Sequence, residues 1–138
     1  MDSKLKREIM LEHYQKPINR GLINDDSYKK INTRNSSCVD NLDVMIKFED
    51  NIIKDIRFDG EACAISTSAA SIMIKTFVGK TKEEANEIIN NYEKMLNEEK
   101  YDSSVLEELN VYDEIYKQPS RKRCALLPIE AIKRIINN

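Results

Sequence analysis

The chain is poor in the residues that usually carry chemistry or punctuate structure. It has one His, three Cys, three Gly, three Pro and no Trp among 138 residues. Any site chemistry must therefore draw on few candidates. An odd cysteine count in a chain with no secretion signal argues against a disulfide framework, and no C-x-x-C knuckle is present. An excess of charge of one sign is also missing. Lys and Arg number 22 against 24 Asp and Glu, a formal charge of -2, so there is no global basic field for nucleic acid or an anionic membrane. Apolar runs extend only a few residues, too short for a bilayer-spanning helix. The stretch from Met1 to Met10 is charged throughout and contains no apolar signal region. A soluble, cytoplasmic protein is the expectation. Hydrophobic residues make up 41% of the chain and charged residues 33%, enough for a core in a single domain over residues 1–138.

The polarity pattern then supplies elements. Leu5, Ile9 and Met10 form one stripe of a segment from Ser3 to Gln15, which predicts an amphipathic helix stopped by Pro17. Gly21 and Asn24-Asp25-Asp26 mark a loop, and a strand-like run extends from Tyr28 to Asn35. Leu42, Val44, Ile46 and Phe48 alternate with Asp43, Met45, Lys47 and Glu49, the period of a strand with one buried face. Asp50-Asn51 suits a turn, and Ile52 to Phe58 returns as the partner, with Ile52, Lys54, Ile56 and Phe58 on one side by strict alternation.

From Ala62 the period becomes helical, with Ile65, Ala69, Ile72 and Thr76 on one face and Gly79 as an end signal. Thr81 and Glu84 form a capping box ahead of a helix carrying Ala85, Ile88, Ile89, Tyr92, Met95 and Leu96. Asn97 to Lys117 is acidic and irregular, with a short helix around Val105 to Leu109. Pro119 resets the chain before a last helix bearing Ile129, Ile132, Ile135 and Ile136, with Pro128 expected in its first turn. The predicted class is α+β: a small three-stranded antiparallel sheet with helices packed on one face. No internal repeat is visible.

The three cysteines all fall at element ends: Cys38 on the loop leaving the first strand, Cys63 at the hairpin-to-helix junction, Cys124 just ahead of the last helix. Two readings stand side by side. Free thiols commonly serve as small buried apolar residues, but element ends are where sites are built. Asp40 lies two positions after Cys38, so in an extended segment a sulfur and a carboxylate project to the same side. Three thiolates and a carboxylate are compatible with tetrahedral Zn²⁺ and would leave a net charge of about -2. Arg121, Lys122 and Arg123 could offset part of that charge, or form an ordinary solvated basic run. A helix N-terminus at Cys63 favours its thiolate. His13, at the end of the first helix, reads as a capping or packing residue before a metal ligand.

Four stretches together resemble the NifU/IscU-like iron–sulfur assembly family, and within it the SufU type: His13 to Gly21, Cys38-Val39-Asp40, Gly60 to Ser66, and Arg121 to Pro128. They span nearly the whole chain in the family's order. Arg123 stands where the cluster-scaffold type has a His before its third Cys, and Asn97 to Lys117 resembles the insertion of the SufU type, at about 97–118. Val39 and Ala62 replace glycines usual in the family. The resemblance implies a zinc-dependent sulfurtransferase that accepts persulfide sulfur from a PLP-dependent cysteine desulfurase and passes it toward downstream iron–sulfur assembly proteins. It implies Cys38, Asp40, Cys63 and Cys124 as zinc ligands and Cys38 as the sulfur acceptor, with a desulfurase His replacing Cys38 on the metal, and suggests Arg121 for steering the partner. An iron–sulfur cluster scaffold on the same ligands is the alternative, and a non-catalytic domain with structural zinc a third reading.

Overall fold

Three strands and the turn between two of them set the frame. β1 (Tyr28–Arg34), β2 (Asn41–Glu49) and β3 (Ile52–Glu61) pair antiparallel in the order β1-β2-β3. The structure, a computed structural model, describes residues 1–34 and 40–138. Asp50 and Asn51 make the β2–β3 turn with φ of 52° and 67°. Two left-handed residues match the twist of the flanking strands, and Asp and Asn tolerate that conformation better than most.

The inward residues of β2 are Leu42, Val44 and Ile46, each at most 1% exposed. On β3 they are Ile53, Ile56 and Phe58, while Ile52 is 40% exposed. Strict alternation predicts Ile52 inside, and the difference has a local cause. Lys47 faces Asp55 but Phe48 faces Ile53, so Lys54 is an extra residue on β3. A bulge of this kind reverses the side-chain phase on one side of it. Beyond Phe58, the chain at Asn19 and Gly21 runs along the outer edge of β3, with Gly21 N donating to Phe58 O at 2.7 Å and Phe58 N to Asn19 O at 3.3 Å.

Four α-helices complete the domain: α1 (Ser3–Gln15), α2 (Ala64–Phe77), α3 (Lys82–Leu96) and α4 (Pro119–Ile136). Against the sheet, α4 packs on β1 and β2 and α2 on β3; α1 packs on α2, and α3 on α4. Between Ser66 and Phe77 every residue of α2 except Lys75 is buried, as expected for a helix with neighbours all round. The Thr81–Glu84 capping box forms as predicted. Residues 97–118 contain three short 3-10 turns, Ser103–Val105, Glu107–Tyr112 and Ile115–Lys117, in place of one short helix. The segment is packed: Leu106, Leu109, Val111 and Tyr112 are buried. Tyr112 Oη lies 2.6 Å from Ser68 Oγ, and its ring meets Tyr92 edge-on.

The last helix begins earlier than the sequence pattern predicts. Pro119 is the first-turn proline, Cys124 lies inside α4, and Pro128 is interior. An interior proline deprives the carbonyl four residues back of its helical donor. Here that carbonyl is Cys124 O, and the Ser66 hydroxyl lies 2.9 Å from it. The helix continues because a neighbour replaces the missing bond. Among the described residues, no helix is long and apolar enough to cross a membrane.

Candidate metal centre

Asp40 immediately precedes β2, Cys63 is the N-cap of α2, and Cys124 lies early in α4. Gly60 is what lets the first two meet. Its φ is +134°, and a Cβ there would lie 2.1 Å from the Asn41 carbonyl oxygen; no other residue permits this approach of β3 to the backbone beside Asp40. Cys63 N then donates to Asp40 Oδ1 at 2.8 Å. The Cys63 sulfur accepts from Ser66 N at 3.5 Å, capping α2 in the role usually taken by an oxygen.

These placements bring an Asp40 oxygen, Cys63 Sγ and Cys124 Sγ all within 4.8 Å of one another. Asp40 is 2% exposed and Cys124 9%, whereas Cys63 is exposed, so the group is open on one side. Burial first, and then the adjoining Cys63 and Asp40, push the Cys124 thiol above its ordinary range. Three groups that are anionic when deprotonated, crowded in a partly buried place, repel one another and favour a cation. The donors fit zinc. Metal–sulfur bonds of about 2.3 Å in a tetrahedron separate two sulfurs by roughly 3.8 Å, so the observed set needs only small shifts to converge on one ion. Two soft sulfurs and one carboxylate also suit zinc by chemical type.

Of the four predicted ligands the structure unites three; Cys38, expected as ligand and as sulfur acceptor, and Val39 lie outside the described residues. Ala62 has no left-handed backbone, so a side chain in place of the family's usual Gly brings no strain there. His13 is not part of the donor group. It is buried against α2, with Nδ1 2.7 Å from Ser71 Oγ and Nε2 3.6 Å from Glu108 Oε1, the packing role expected of it. Arg121, Lys122 and Arg123 occupy the first turns of α4.

Sequence reasoning missed Ser66. Its hydroxyl lies 2.7 Å from Asp40 Oδ2, 2.9 Å from Cys124 O and 3.7 Å from Cys63 Sγ. The available signal was its place three residues after Cys63 at a helix start, where a capping side chain accepts a backbone N–H. Nothing local could show the hydroxyl turning toward Asp40 and Cys124.

Comparison with known proteins agrees with this fold. The family model for the NifU-like N-terminal domain matches residues 5–125. The zinc-dependent sulfurtransferase SufU of Bacillus subtilis (strain 168) is 31% identical over 131 residues, covering 94% of this chain and 88% of that protein. The iron-sulfur cluster assembly scaffold protein IscU of Thermotoga maritima is 30% identical over 129 residues, covering 94% and 90%. Among solved structures, FiSufU from Fervidobacterium islandicum AW-1, assigned as a SUF-system iron-sulfur cluster assembly scaffold, superposes with a TM-score of 0.89. It is 29% identical, with 94% of each chain covered.

Proposed function

The chain belongs to the NifU-like N-terminal domain family, and from that premise we propose that it is a cytoplasmic zinc-dependent sulfurtransferase. It accepts persulfide sulfur from a PLP-dependent cysteine desulfurase and delivers it to downstream iron–sulfur assembly proteins. The observation that carries this reading is the convergence of Asp40, Cys63 and Cys124 within 4.8 Å. Cys38, two positions before Asp40, completes the proposed set. Bound zinc would hold the thiols as thiolates at neutral pH and protect them from oxidation.

The chain's residues then divide the work. Asp40, Cys63 and Cys124 hold their positions from three different elements, and Cys38 serves as nucleophile. Its thiolate attacks the outer sulfur of the desulfurase persulfide. A new sulfur–sulfur bond forms on Cys38, the old one breaks, and the desulfurase cysteine leaves as thiolate. Arg121 steers or holds the partner. Apolar surface for that partner lies beside the exposed Cys63: a groove lined by Met10, Leu11, Tyr14, Ala64 and Ile65, with Leu11 49% and Tyr14 46% exposed.

A scaffold role on the same ligands is the second reading, favoured by the relatives that carry that name. Arg123 before the third cysteine and the packed insertion support the sulfurtransferase instead. Purified protein should contain one zinc per chain. After incubation with desulfurase and cysteine, Cys38 should gain the mass of one sulfur atom, and Cys38→Ala should no longer stimulate desulfurase turnover. Full stimulation by Cys38→Ala would exclude persulfide acceptance at that residue. A stable, transferable cluster after anaerobic reconstitution would favour the scaffold.

A further inference from the structure

We propose that Ser66 is the positioning residue of this metal centre, its single hydroxyl hydrogen shared between the Asp40 carboxylate and the Cys124 carbonyl that Pro128 leaves without a helical donor. The inference rests on the zinc reading above and deepens it.

Ser66 is 0% exposed, so its hydroxyl has protein partners to serve. Asp40 Oδ2 lies 2.7 Å away and Cys124 O 2.9 Å away. A hydroxyl donates one hydrogen and accepts through its lone pairs, so it serves one of these acceptors at a time. Both acceptors belong to proposed ligand residues, one through its side chain and one through its backbone. The second exists as an acceptor because Pro128, four residues after Cys124, has no N–H. A kinked or broken α4 would move Cys124, and without the hydroxyl Asp40, which the Cys63 amide holds through Oδ1, would lose the bond that fixes Oδ2. One buried hydroxyl opposes both changes. An ionised carboxylate offers about four lone-pair sites, so Asp40 can bind a cation while its Oδ2 keeps the Ser66 hydrogen bond that orients it. Outer hydrogen bonds of this kind orient ligands, and their loss typically lowers metal affinity about 10- to 100-fold.

The backbone N–H of Ser66, which the Cys63 sulfur accepts, is retained in Ser66→Ala, so that variant removes the hydroxyl alone. Zinc affinity is read by competition with a chromophoric chelator, and the denaturation midpoint is read on metal-free protein, for wild type, Ser66→Ala, Pro128→Ala and the double variant. Ser66→Ala should weaken zinc binding about 10- to 100-fold and lower the midpoint. In the Pro128→Ala background an ordinary helical N–H serves Cys124 O. There Ser66→Ala should cost less in midpoint while still weakening zinc binding, and this background carries the comparison should the single variant not fold.

Zinc affinity of Ser66→Ala within about twofold of its parent in both backgrounds would overturn the inference alone, since a comparable ligand-orienting bond is worth far more. Full recovery of affinity in the double variant would overturn it too, by reducing Ser66 to a helix support. A wild-type protein that fails to hold zinc would overturn the functional reading and this inference with it.

Discussion

Asp40 does two separable things. It is buried at 2% exposure, it accepts the Cys63 amide at 2.8 Å, and it offers a charged oxygen to the donor group. Asp40→Asn keeps an acceptor of similar shape and loses the charge. The metal-free protein should therefore stay within about 1 kcal/mol of wild type, the scale of one neutral hydrogen bond. Zinc affinity should fall by at least about 10-fold, as for loss of any strong metal-site interaction. Asp40→Ala should lower both, because it orphans a buried donor at about 1–3 kcal/mol. Denaturant titration in chelator and zinc competition check the two effects; a tie between the variants in metal-free stability would mean that the Cys63 bond carries no weight. At this scale the ligand types were legible because soft and acidic donors are scarce or well spaced in the sequence. Ser66 was not, since a serine at a helix start reads first as a solubilising or capping residue.

Among the elements, local chemistry was read well wherever its cause was local. The Asp50-Asn51 turn and the Thr81–Glu84 box depend on residues within four positions of each other. The bulge at Lys54 and the start of α4 ahead of Cys124 depend on tertiary partners. Ile52 and Ile53 are equally apolar, so alternation alone could not say which turned inward. Pro128 looked like a helix start because its compensating donor, Ser66, lies on another helix. Gly60 is the junction on which the site geometry hangs. Gly60→Ala would place a Cβ 2.1 Å from Asn41 O at a φ that side chains rarely adopt. It should destabilise the fold by roughly 2 kcal/mol or more and weaken zinc binding in parallel, measured by thermal melts with and without metal. A melting temperature equal to wild type would refute the close approach of β3 to Asn41.

For the molecule as a whole, several buried or paired groups share one sign of pH dependence. Burial holds the Tyr92 and Tyr112 hydroxyls above their ordinary values, and does the same for Tyr101. A hydrogen bond to Asp113, at 2.6 Å, raises Lys6. A folded value above the unfolded one means that the native state holds the proton more tightly. Such stability is complete below the ordinary values, near 10 for these groups, and declines as pH rises past them. Melting temperature should therefore hold to about pH 9 and drop between about pH 10 and 12, and Tyr112→Phe should flatten the fall by removing one titrating group. A flat profile over that range would contradict the burial of these hydroxyls. The class of fold was legible at this scale because periods of two and of 3.6 separate cleanly along the chain; the packing of residues 97–118 was not, since its apolar residues follow neither period. One margin of the sheet has a further consequence. β3 is screened by the Asn19–Gly21 stretch, but β1 ends the sheet on the other side, and it is there that Lys29, Lys30 and Arg34 project into solvent. Cations along a terminal strand repel a like strand from a second molecule, so edge-to-edge pairing of two copies is disfavoured by the same short segment that leads toward the first thiol.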